Sequence, residues 1–490
     1  MTVKDDVTIK GLFAQFRQME TDAILWQRKV SSVRYWCLIR FSIFYIILKR
    51  MGKVSDPHPD CLVVKKRKWL QKICLKIRDV YEYCRIRLAL YKERPVVFGL
   101  KPRLAKLVDG TYCYCMLDCL LPYLRQRYAI LSWDRELPRS DVSDMSCVFT
   151  PPIKRLKKKV KKTQMWREVL CEIQSEANLI QGIIYDVFKV EVSSDLIKRQ
   201  LTEVYLIHEG VRPYFRRLLT KWRTKCVVLS VHYSVLNMCL ASAAHDLGLP
   251  VVELQHGEVN SSHPAYNVPV KKNEYLPDYF LSWGSFWRKF LSNFPQKAVI
   301  DAGYPYFDYH IQTYPRKKIS DENIHVWFLS QGTIGVELSR LAIELSELLP
   351  RDRITLHYKL HPSESKSWTL NYPWLKDSYI DVVSNEESNI YKCLQAADIA
   401  IGVNSTAIIE AFAWGVRPLV LSFISGGETL SAFADAGYVE FIHSKEELVN
   451  MLKTCKKEWM SEVDVKALWQ SNASANIAAF IGKLVRGDYE

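Results

Sequence analysis

The sequence has little glycine and proline and no long uninterrupted apolar run. With 19 Gly and 20 Pro in 490 residues, of which 48% are hydrophobic, it is neither collagen-like nor disordered, and it predicts a globular protein with a sizeable core. No stretch of 18 apolar residues occurs, so no transmembrane helix is predicted. The chain opens without the pattern of a secretory signal, so we expect reduced thiols and no secretion.

Positive charge is concentrated in two parts of the chain. The net charge is +15, of which residues 1–95 carry +12 and residues 154–162 carry +7, while the remainder is slightly acidic. We interpret residues 151–163 as a charged, mobile excursion, and a solvated loop stays the alternative to membrane binding for its lysines. The two basic segments favour an anionic membrane surface as a partner, and a cytoplasmic protein held peripherally on the inner face of the membrane. A nucleic-acid-binding protein is the alternative from another class, but no RNA- or DNA-reading motif supports it, so no nucleic acid is predicted as a partner.

Residues 35–48 form the most apolar segment of the basic N-terminal region, but Arg40 interrupts it. Two interpretations stay open: a helix packed into its own domain, or an interfacial helix at a membrane. The 13 cysteines show one close group, Cys113, Cys115 and Cys119. No second Cys or His cluster at metal-binding spacing accompanies it, so buried thiols are predicted and no metal site.

Length and pattern predict several domains, because a single core rarely exceeds about 250–300 residues. Residues 1–94 are predicted to be a helical, basic N-terminal region. Residues 95–304 are predicted to be a Rossmann-like acceptor domain. Residues 305–490 are predicted to be a Rossmann-like nucleotide-donor domain that includes the terminal helices.

The α/β prediction depends on alternating strand-like and helical segments. In the first half, a strand at 226–231, a helix at 235–247 and a strand at 251–255 indicate a βαβ unit. The second half repeats this alternation from 324 to 422. The sequence therefore predicts two Rossmann-like domains facing a cleft, preceded by a helical N-terminal extension.

Three strand-to-helix junctions of the second half carry polar side chains. Parallel strands end at one edge of a sheet, where open α/β sheets bind ligands, so a diphosphate or nucleotide site is predicted there. Each residue also has a structural alternative, such as a helix cap, a solvated helix residue or a strand-end histidine bonded to backbone. The candidate donor-binding residues are Ser330, Gln331, Thr333, Lys359, His361, Ser405, Thr406 and Glu410.

The first half contributes a candidate base after its strand at 251–255. We expect Gly257 to allow a sharp turn that projects His256, whose imidazole can accept a proton near neutral pH. Glu258 is the second candidate base or an orienting partner. His232 ends the neighbouring strand and is a weaker candidate.

The order of these motifs resembles a known family over about residues 225–425. The motifs are Gln-His-Gly at 255–257, Trp-Gly at 283–284, Gly-x-Pro at 303–305, Ser-Gln at 330–331, Lys-x-His-Pro at 359–362 and Ser-Thr-x3-Glu at 405–410. Together they resemble bacterial surface-polysaccharide glycosyltransferases of the GT-B fold. The group includes the Kdo transferases, the sialyl- and polysialyltransferases with a His-Pro motif, and the CDP-glycerol glycerophosphotransferases.

The resemblance implies roles for individual residues. His361, Ser405 and Thr406 would hold the donor phosphate, and His256 would be the base, as in the glycerophosphotransferases. The sialyltransferases use an acidic residue in an acidic-acidic-Gly motif, of which this sequence has no clear copy, so the base and the donor class stay open.

The resulting hypothesis is a metal-independent transferase without a cofactor, and the resemblance implies that it inverts the anomeric centre. It would move a sugar from a nucleotide-sugar donor, with a CMP-sugar favoured, to a lipid-linked or growing capsule or O-antigen glycan. A nucleotide-sugar epimerase of the same fold is the nearest alternative, and a non-catalytic scaffold of polysaccharide export is a further one.

Overall fold

The computed structural model describes residues 8–53, 80–82, 84–100, 104–106, 110–133, 141, 144–269, 273–292, 294–317, 322–384, 387–424, 430–457 and 463–488. The chain forms two compact units. The first comprises Met1–Pro305 and Asn472–Glu490, and the second comprises Tyr306–Ser471. Much of the basic N-terminal region, residues 1–7 and 54–79, lies outside the described residues.

The first unit is built on a seven-stranded parallel sheet in the order β5-β4-β1-β6-β7-β8-β9. Its strands are nearly continuous apolar runs, as expected where helices cover both faces of a parallel sheet. The strands are β1 (Val96–Leu100), β4 (Tyr128–Ser132), β5 (Val148–Phe149), β6 (Cys226–Leu229), β7 (Val251–Leu254), β8 (Tyr279–Ser282) and β9 (Val299–Asp301). A separate antiparallel pair consists of β2 (Leu104–Lys106) and β3 (Tyr112–Tyr114).

Six helices of the first unit precede the second unit in the sequence, and residues 80–82 and 84–89 are also helical. They are α1 (Ile9–Asp22), α2 (Trp36–Arg50), α3 (Ile153–Val160), α4 (Trp166–Phe188), α5 (Ser194–Lys221) and α6 (Val235–His245). Short 3-10 turns lie at Leu25–Gln27, Leu121–Tyr123, Met145–Cys147, Ser285–Phe290 and Gln296–Ala298.

Helix α2 contains the apolar N-terminal segment for which two interpretations were open. Nine of its 15 residues are buried, and eight of them, all except Arg40, share one apolar core with residues of α1, α4 and α5. The packed helix is therefore the observed arrangement of this segment. Among the described residues, no helix is both long and apolar enough to cross a membrane.

The basic segment 151–163 was expected to be a charged, mobile excursion, but the structure shows a helix in it. This helix is α3, in which Ile153 and Leu156 pack against the core next to α5. Gly210 of α5 permits this approach, because a Cβ there would lie 3.0 Å from the carbonyl oxygen of Leu156. An apolar stripe at helical spacing thus orders a segment whose charge suggested a loop.

The second unit contains a six-stranded parallel sheet in the order β12-β11-β10-β13-β14-β15. Its strands are β10 (Ile324–Leu329), β11 (Ile354–Lys359), β12 (Asp381–Val383), β13 (Ile399–Gly402), β14 (Arg417–Leu421) and β15 (Glu440–Ile442). Its helices are α7 (Pro305–Thr313), α8 (Gly335–Leu348), α9 (Trp368–Asn371), α10 (Pro373–Lys376), α11 (Ile390–Leu394), α12 (Thr406–Ala411), α13 (Ser431–Ala434), α14 (Lys445–Thr454) and α15 (Val465–Leu468), with a 3-10 turn at Phe412–Trp414. Two parallel α/β sheets confirm the predicted fold class.

The last helix, α16 (Ala473–Arg486), does not belong to the second unit, although the sequence analysis placed it there. Ser474 Oγ donates to the carbonyl oxygen of Cys119 at 2.9 Å, and Asn476 Nδ2 donates to that of Ala302 at 3.3 Å. The ring of Phe480 packs edge-on against Tyr279 of β8 at 5.3 Å. These contacts with residues distant in sequence place the C-terminal helix on the first sheet.

Candidate functional site

Gln255, immediately after β7, organises the strand ends of the first unit. Its side-chain oxygen accepts from the Trp283 backbone N–H at 2.8 Å, and its own carbonyl accepts from Trp283 Nε1 at 2.9 Å. Its amide nitrogen donates to the carbonyl of Gly257 at 3.0 Å. The Gln-His-Gly and Trp-Gly motifs are therefore hydrogen-bonded to each other. They hold the ends of β7 and β8 together around His256.

His256 lies at this strand end with its side chain 20% exposed. Its Nε2 is 2.9 Å from Tyr233 Oη, and Tyr233 follows β6. The turn does not require a glycine at 257: its φ is not positive, and a Cβ there would meet no atom within 4 Å. The steric argument for Gly257 is thus wrong, and the orientation of His256 follows from its contacts.

Glu253 is a buried acid beneath His256 that the sequence analysis did not select. It is 0% exposed and accepts hydrogen bonds from the His232 backbone N–H at 3.0 Å and from Tyr266 Oη at 3.0 Å. His232 Nδ1 lies 2.5 Å from its other oxygen. Burial alone would raise the pKa of Glu253, but the His232 imidazole and these hydrogen bonds outweigh it and hold the pKa below its usual range.

Glu258, the second candidate base, lies in the same loop but in a different environment. Its Oε1 accepts from Asn260 Nδ2 at 3.2 Å, and burial raises the pKa of its carboxyl above the usual range. His263 lies further along this loop, where burial and then the charges of His256 and His232 lower its pKa to about 3. The pKa of Glu258 is therefore closer than that of an ordinary glutamate to neutral pH, where a general base is most effective.

In the second unit, the buried carboxylate of Glu364 joins two of the predicted strand ends. It accepts from Ser330 Oγ at 3.0 Å and from the His361 backbone N–H at 2.7 Å. Tyr372 Oη donates to it at 2.6 Å. A Cβ at Gly335 would lie 2.1 Å from Tyr372 Oη, so a glycine is required there. The junctions after β10 and β11 thus share one hydrogen-bonded centre.

The exposed ring of His361 is oriented by the serine that follows Pro362. The Ser363 backbone N–H donates to His361 Nδ1 at 3.3 Å, and Ser363 Oγ lies 2.8 Å from the same nitrogen. Since Nδ1 accepts, the neutral ring carries its proton on Nε2. His361 can therefore present an N–H donor at the carboxyl edge of the second sheet, where an anion can accept it.

The third junction, after β13, is linked to the first by Gln331. Its Oε1 accepts from the Asn404 backbone N–H at 3.3 Å. Ser405 is the N-cap of α12, since its Oγ accepts from the Ala407 N–H at 3.2 Å. Thr333 and Thr406 are exposed. The strands β11, β10 and β13 are neighbours, so these side chains lie along one edge of the sheet.

Three predicted donor-binding residues are buried in the second unit, Lys359 and Glu410 in addition to Ser330. Lys359 is buried, and its Nζ donates to the carbonyl of Leu360 at 3.2 Å. Burial lowers the pKa of its ammonium below the usual range. Glu410 is buried on α12. None of the three side chains belongs to the exposed row formed by Thr333, His361 and Thr406.

The sequence analysis missed the two acids that organise these clusters. Glu253 had a usable signal, because a charged residue inside an apolar, fully buried strand requires partners. Glu364 lies in a polar turn, where its burial has no local signal. Its role depends on Ser330 and Tyr372, which reach it from other elements.

Among known proteins, no family model matches this sequence, and no curated protein matches it. Solved structures do match, 132 chains in all. A putative UDP-N-acetylglucosamine 2-epimerase from Listeria monocytogenes is 12% identical with a TM-score of 0.47, and the match covers 81% of this chain and 98% of that chain. MurG from Acinetobacter baumannii is 13% identical with a TM-score of 0.43, covering 80% and 99%.

The wall teichoic acid polymerase TagF is 11% identical with a TM-score of 0.39, and the match covers 86% of this chain and all of that one. The fold and the sites of the present chain define an α/β protein with two parallel sheets. Each sheet has a polar cluster where its strands end, one centred on His256 and the other on His361.

Proposed function

We propose that this protein is a GT-B glycosyltransferase that transfers a sugar from a nucleotide-sugar donor to a lipid-linked or growing bacterial surface polysaccharide. The second unit binds the donor, with CMP-sugars favoured. The first unit supplies the base that deprotonates the acceptor hydroxyl. The reaction inverts the anomeric centre and uses neither a metal nor a cofactor.

One observation carries the donor assignment: the exposed Nε2–H of His361, oriented by Ser363 at the sheet edge. A donor N–H stabilises the negative charge that develops on a leaving phosphate. Hydroxyls of Thr333 and Thr406 lie along the same edge and supply further donors. Lys359 contributes to phosphate binding only if its side chain leaves the buried position observed here.

Nucleotide binding tests this assignment directly. We expect one of CMP, CDP, UDP and GDP, or a corresponding nucleotide sugar, to raise the thermal midpoint of the full-length protein, since saturation at 100 times Kd adds about 2.7 kcal/mol. His361→Ala is expected to weaken that binding.

His443→Ala is the matched control for His361→Ala. Its ring is also exposed and bonded to a serine hydroxyl, Ser422 Oγ at 2.8 Å. It follows β15, four strand positions from β11, which is about 19 Å at the usual strand spacing. Equal nucleotide affinity in the wild type and His361→Ala would refute the phosphate assignment.

The requirement for a glycan acceptor distinguishes the proposed transferase from the epimerase alternative. The purified protein is incubated with the nucleotide sugar that binds, with and without a glycan acceptor. Transfer only in the presence of acceptor supports the proposed function. Isomerisation of the nucleotide sugar without acceptor would show an epimerase instead.

We also propose that the protein binds the anionic inner face of the cytoplasmic membrane, where a lipid-linked acceptor is located. The support is helix α3 and the residues after it, where Lys158, Lys159, Lys161 and Lys162 are exposed. Each such lysine contributes roughly 1 kcal/mol near an anionic leaflet. Lys157 pairs with Glu203 at 2.5 Å and is left out of this count.

Liposome flotation tests the membrane proposal. We expect binding to anionic vesicles at low salt, weak binding to neutral vesicles, and loss of binding at high salt. Replacing Lys158, Lys159, Lys161 and Lys162 by alanine is expected to reduce binding toward the level seen with neutral vesicles. Binding that is insensitive to salt and to these substitutions would contradict the electrostatic proposal.

A further inference from the structure

Glu253 is a fully buried carboxylate of the first unit, and burial makes its charged form energetically costly. A buried carboxylate is stable only where hydrogen bonds and charges compensate its lost hydration. Three donors converge on it: the His232 backbone N–H, His232 Nδ1 and Tyr266 Oη. These contacts hold both carboxylate oxygens in a fixed orientation at the end of β7.

His232 contacts this carboxylate through its ring nitrogen Nδ1. The Nε2 atom of His232 is buried and has no hydrogen-bond partner among the described residues. His232 Nδ1 lies 2.5 Å from Glu253, and the contacts of Glu253 hold the pKa of its carboxyl below the usual range, so the carboxylate keeps its negative charge.

That charge faces His256. Glu253 Oε1 lies 3.9 Å from His256 Nδ1, and on the other side of the ring Nε2 lies 2.9 Å from Tyr233 Oη. A carboxylate near Nδ1 favours a proton on that nitrogen, and the Tyr233 hydroxyl then donates to Nε2. The titratable groups around the ring are Glu253 of β7, Glu258 of the same loop, His232 and Tyr233 after β6, and His263 and Tyr266 of the following loop.

We infer that Glu253 is a positioning residue that sets the tautomer of His256, leaving Nε2 as the atom that accepts a proton in the reaction. The inference rests on the proposed function, because it concerns the base of the same reaction. The acceptor oxygen forms a bond to the anomeric carbon of the donor sugar and gives its proton to the Tyr233 hydroxyl, which passes its own proton to Nε2. The nucleotide phosphate leaves with the electron pair of the broken bond.

Histidine titration by NMR tests the inference without substrate. In protein labelled with ¹⁵N-histidine, assigned with a His256→Gln variant, ring nitrogen shifts report both the tautomer and the pKa of His256. In Glu253→Gln, which keeps the shape but removes the charge, we expect the His256 pKa to fall by about one unit or more. We also expect the Nδ1–H tautomer to lose its predominance.

Two further variants control this measurement. Asp278→Asn removes a carboxylate that contacts His245 Nε2 at 3.1 Å, so it is expected to lower the pKa of His245 and leave His256 unchanged. Tyr266→Phe removes one donor to Glu253, which concentrates charge on the carboxylate, so we expect a smaller shift of His256 in the opposite direction. Near-UV circular dichroism verifies that each variant is folded.

The outcomes separate this inference from the proposed function. If the protein transfers sugars, the acidic limb of its kcat/KM profile is expected to move to lower pH in Glu253→Gln, in step with the His256 pKa. If no nucleotide binds, the proposed function fails while the NMR result still decides the role of Glu253. An unchanged tautomer and pKa of His256 in both Glu253→Gln and Tyr266→Phe overturn the inference.

Discussion

Replacing Arg40 by methionine is expected to destabilise the first unit strongly, because it leaves a buried glutamate without its counterion. Arg40 is 2% exposed and forms a bidentate pair with Glu20, with Nε–Oε1 2.6 Å and Nη2–Oε2 2.8 Å. Trp36 Nε1 also donates to Glu20, at 2.6 Å. Arg40 Nη1 donates to the carbonyl of Pro264, so the pair connects helices α1 and α2 to the loop that contains His263.

The magnitude follows from the cost of an unpaired buried charge. Removing one partner of a buried ion pair costs about 3–5 kcal/mol, and in a unit of this size that lowers the thermal midpoint by roughly 4–7 °C. Replacing both partners, as in Arg40→Met with Glu20→Leu, removes the charge altogether. The double variant is therefore expected to recover most of the loss, apart from the unpaired Trp36 N–H and Pro264 carbonyl.

Thermal unfolding of the full chain measures all the variants of this double-mutant cycle. The control is Arg223→Met, which breaks an ion pair of similar length, 2.7 Å to Glu93, whose side chains are 75% and 60% exposed. That loss is expected to be below about 1 kcal/mol. Equal effects of Arg40→Met and Arg223→Met, or a double variant no more stable than Arg40→Met, would refute the reasoning.

Two further predictions concern histidines. His310 of α7 is 0% exposed, its ring nitrogens have no hydrogen-bond partner among the described residues, and burial lowers its pKa to about 4. The folded state keeps His310 neutral, whereas the unfolded chain protonates it, so the protein loses on the order of 3 kcal/mol of stability as the pH falls from about 6.5 through 4. In His310→Phe, we expect the thermal midpoint to fall less over this pH range. An unchanged pH dependence of the midpoint would contradict the assignment. His256→Ala is expected to leave nucleotide binding intact and to lower turnover by about 10²–10⁴-fold; full activity would transfer the base role to Glu258.

The sequence by itself determined the strands and the places where polar residues follow them. The strands β6, β7 and β10 are short, largely apolar runs, and β11 alternates buried and partly buried residues. Their strand length, their β-branched and aromatic residues and the turn residues that bound them favour strands over helices. Because parallel strands end on one side of a sheet, the positions of His256 and His361 at sheet edges followed from the pattern alone.

Tertiary structure alone decided which segments pack together and which acids are buried. Helix α3 has an apolar stripe among its basic residues, and this stripe packs next to α5. Helix α16 belongs to the first unit because it contacts Cys119 and Ala302, which are more than 170 residues away in the sequence. The environments of Glu253 and Glu364 likewise depend on donors from other elements. Local periodicity records which face of an element is apolar, but it contains no information about the distant surface that covers that face.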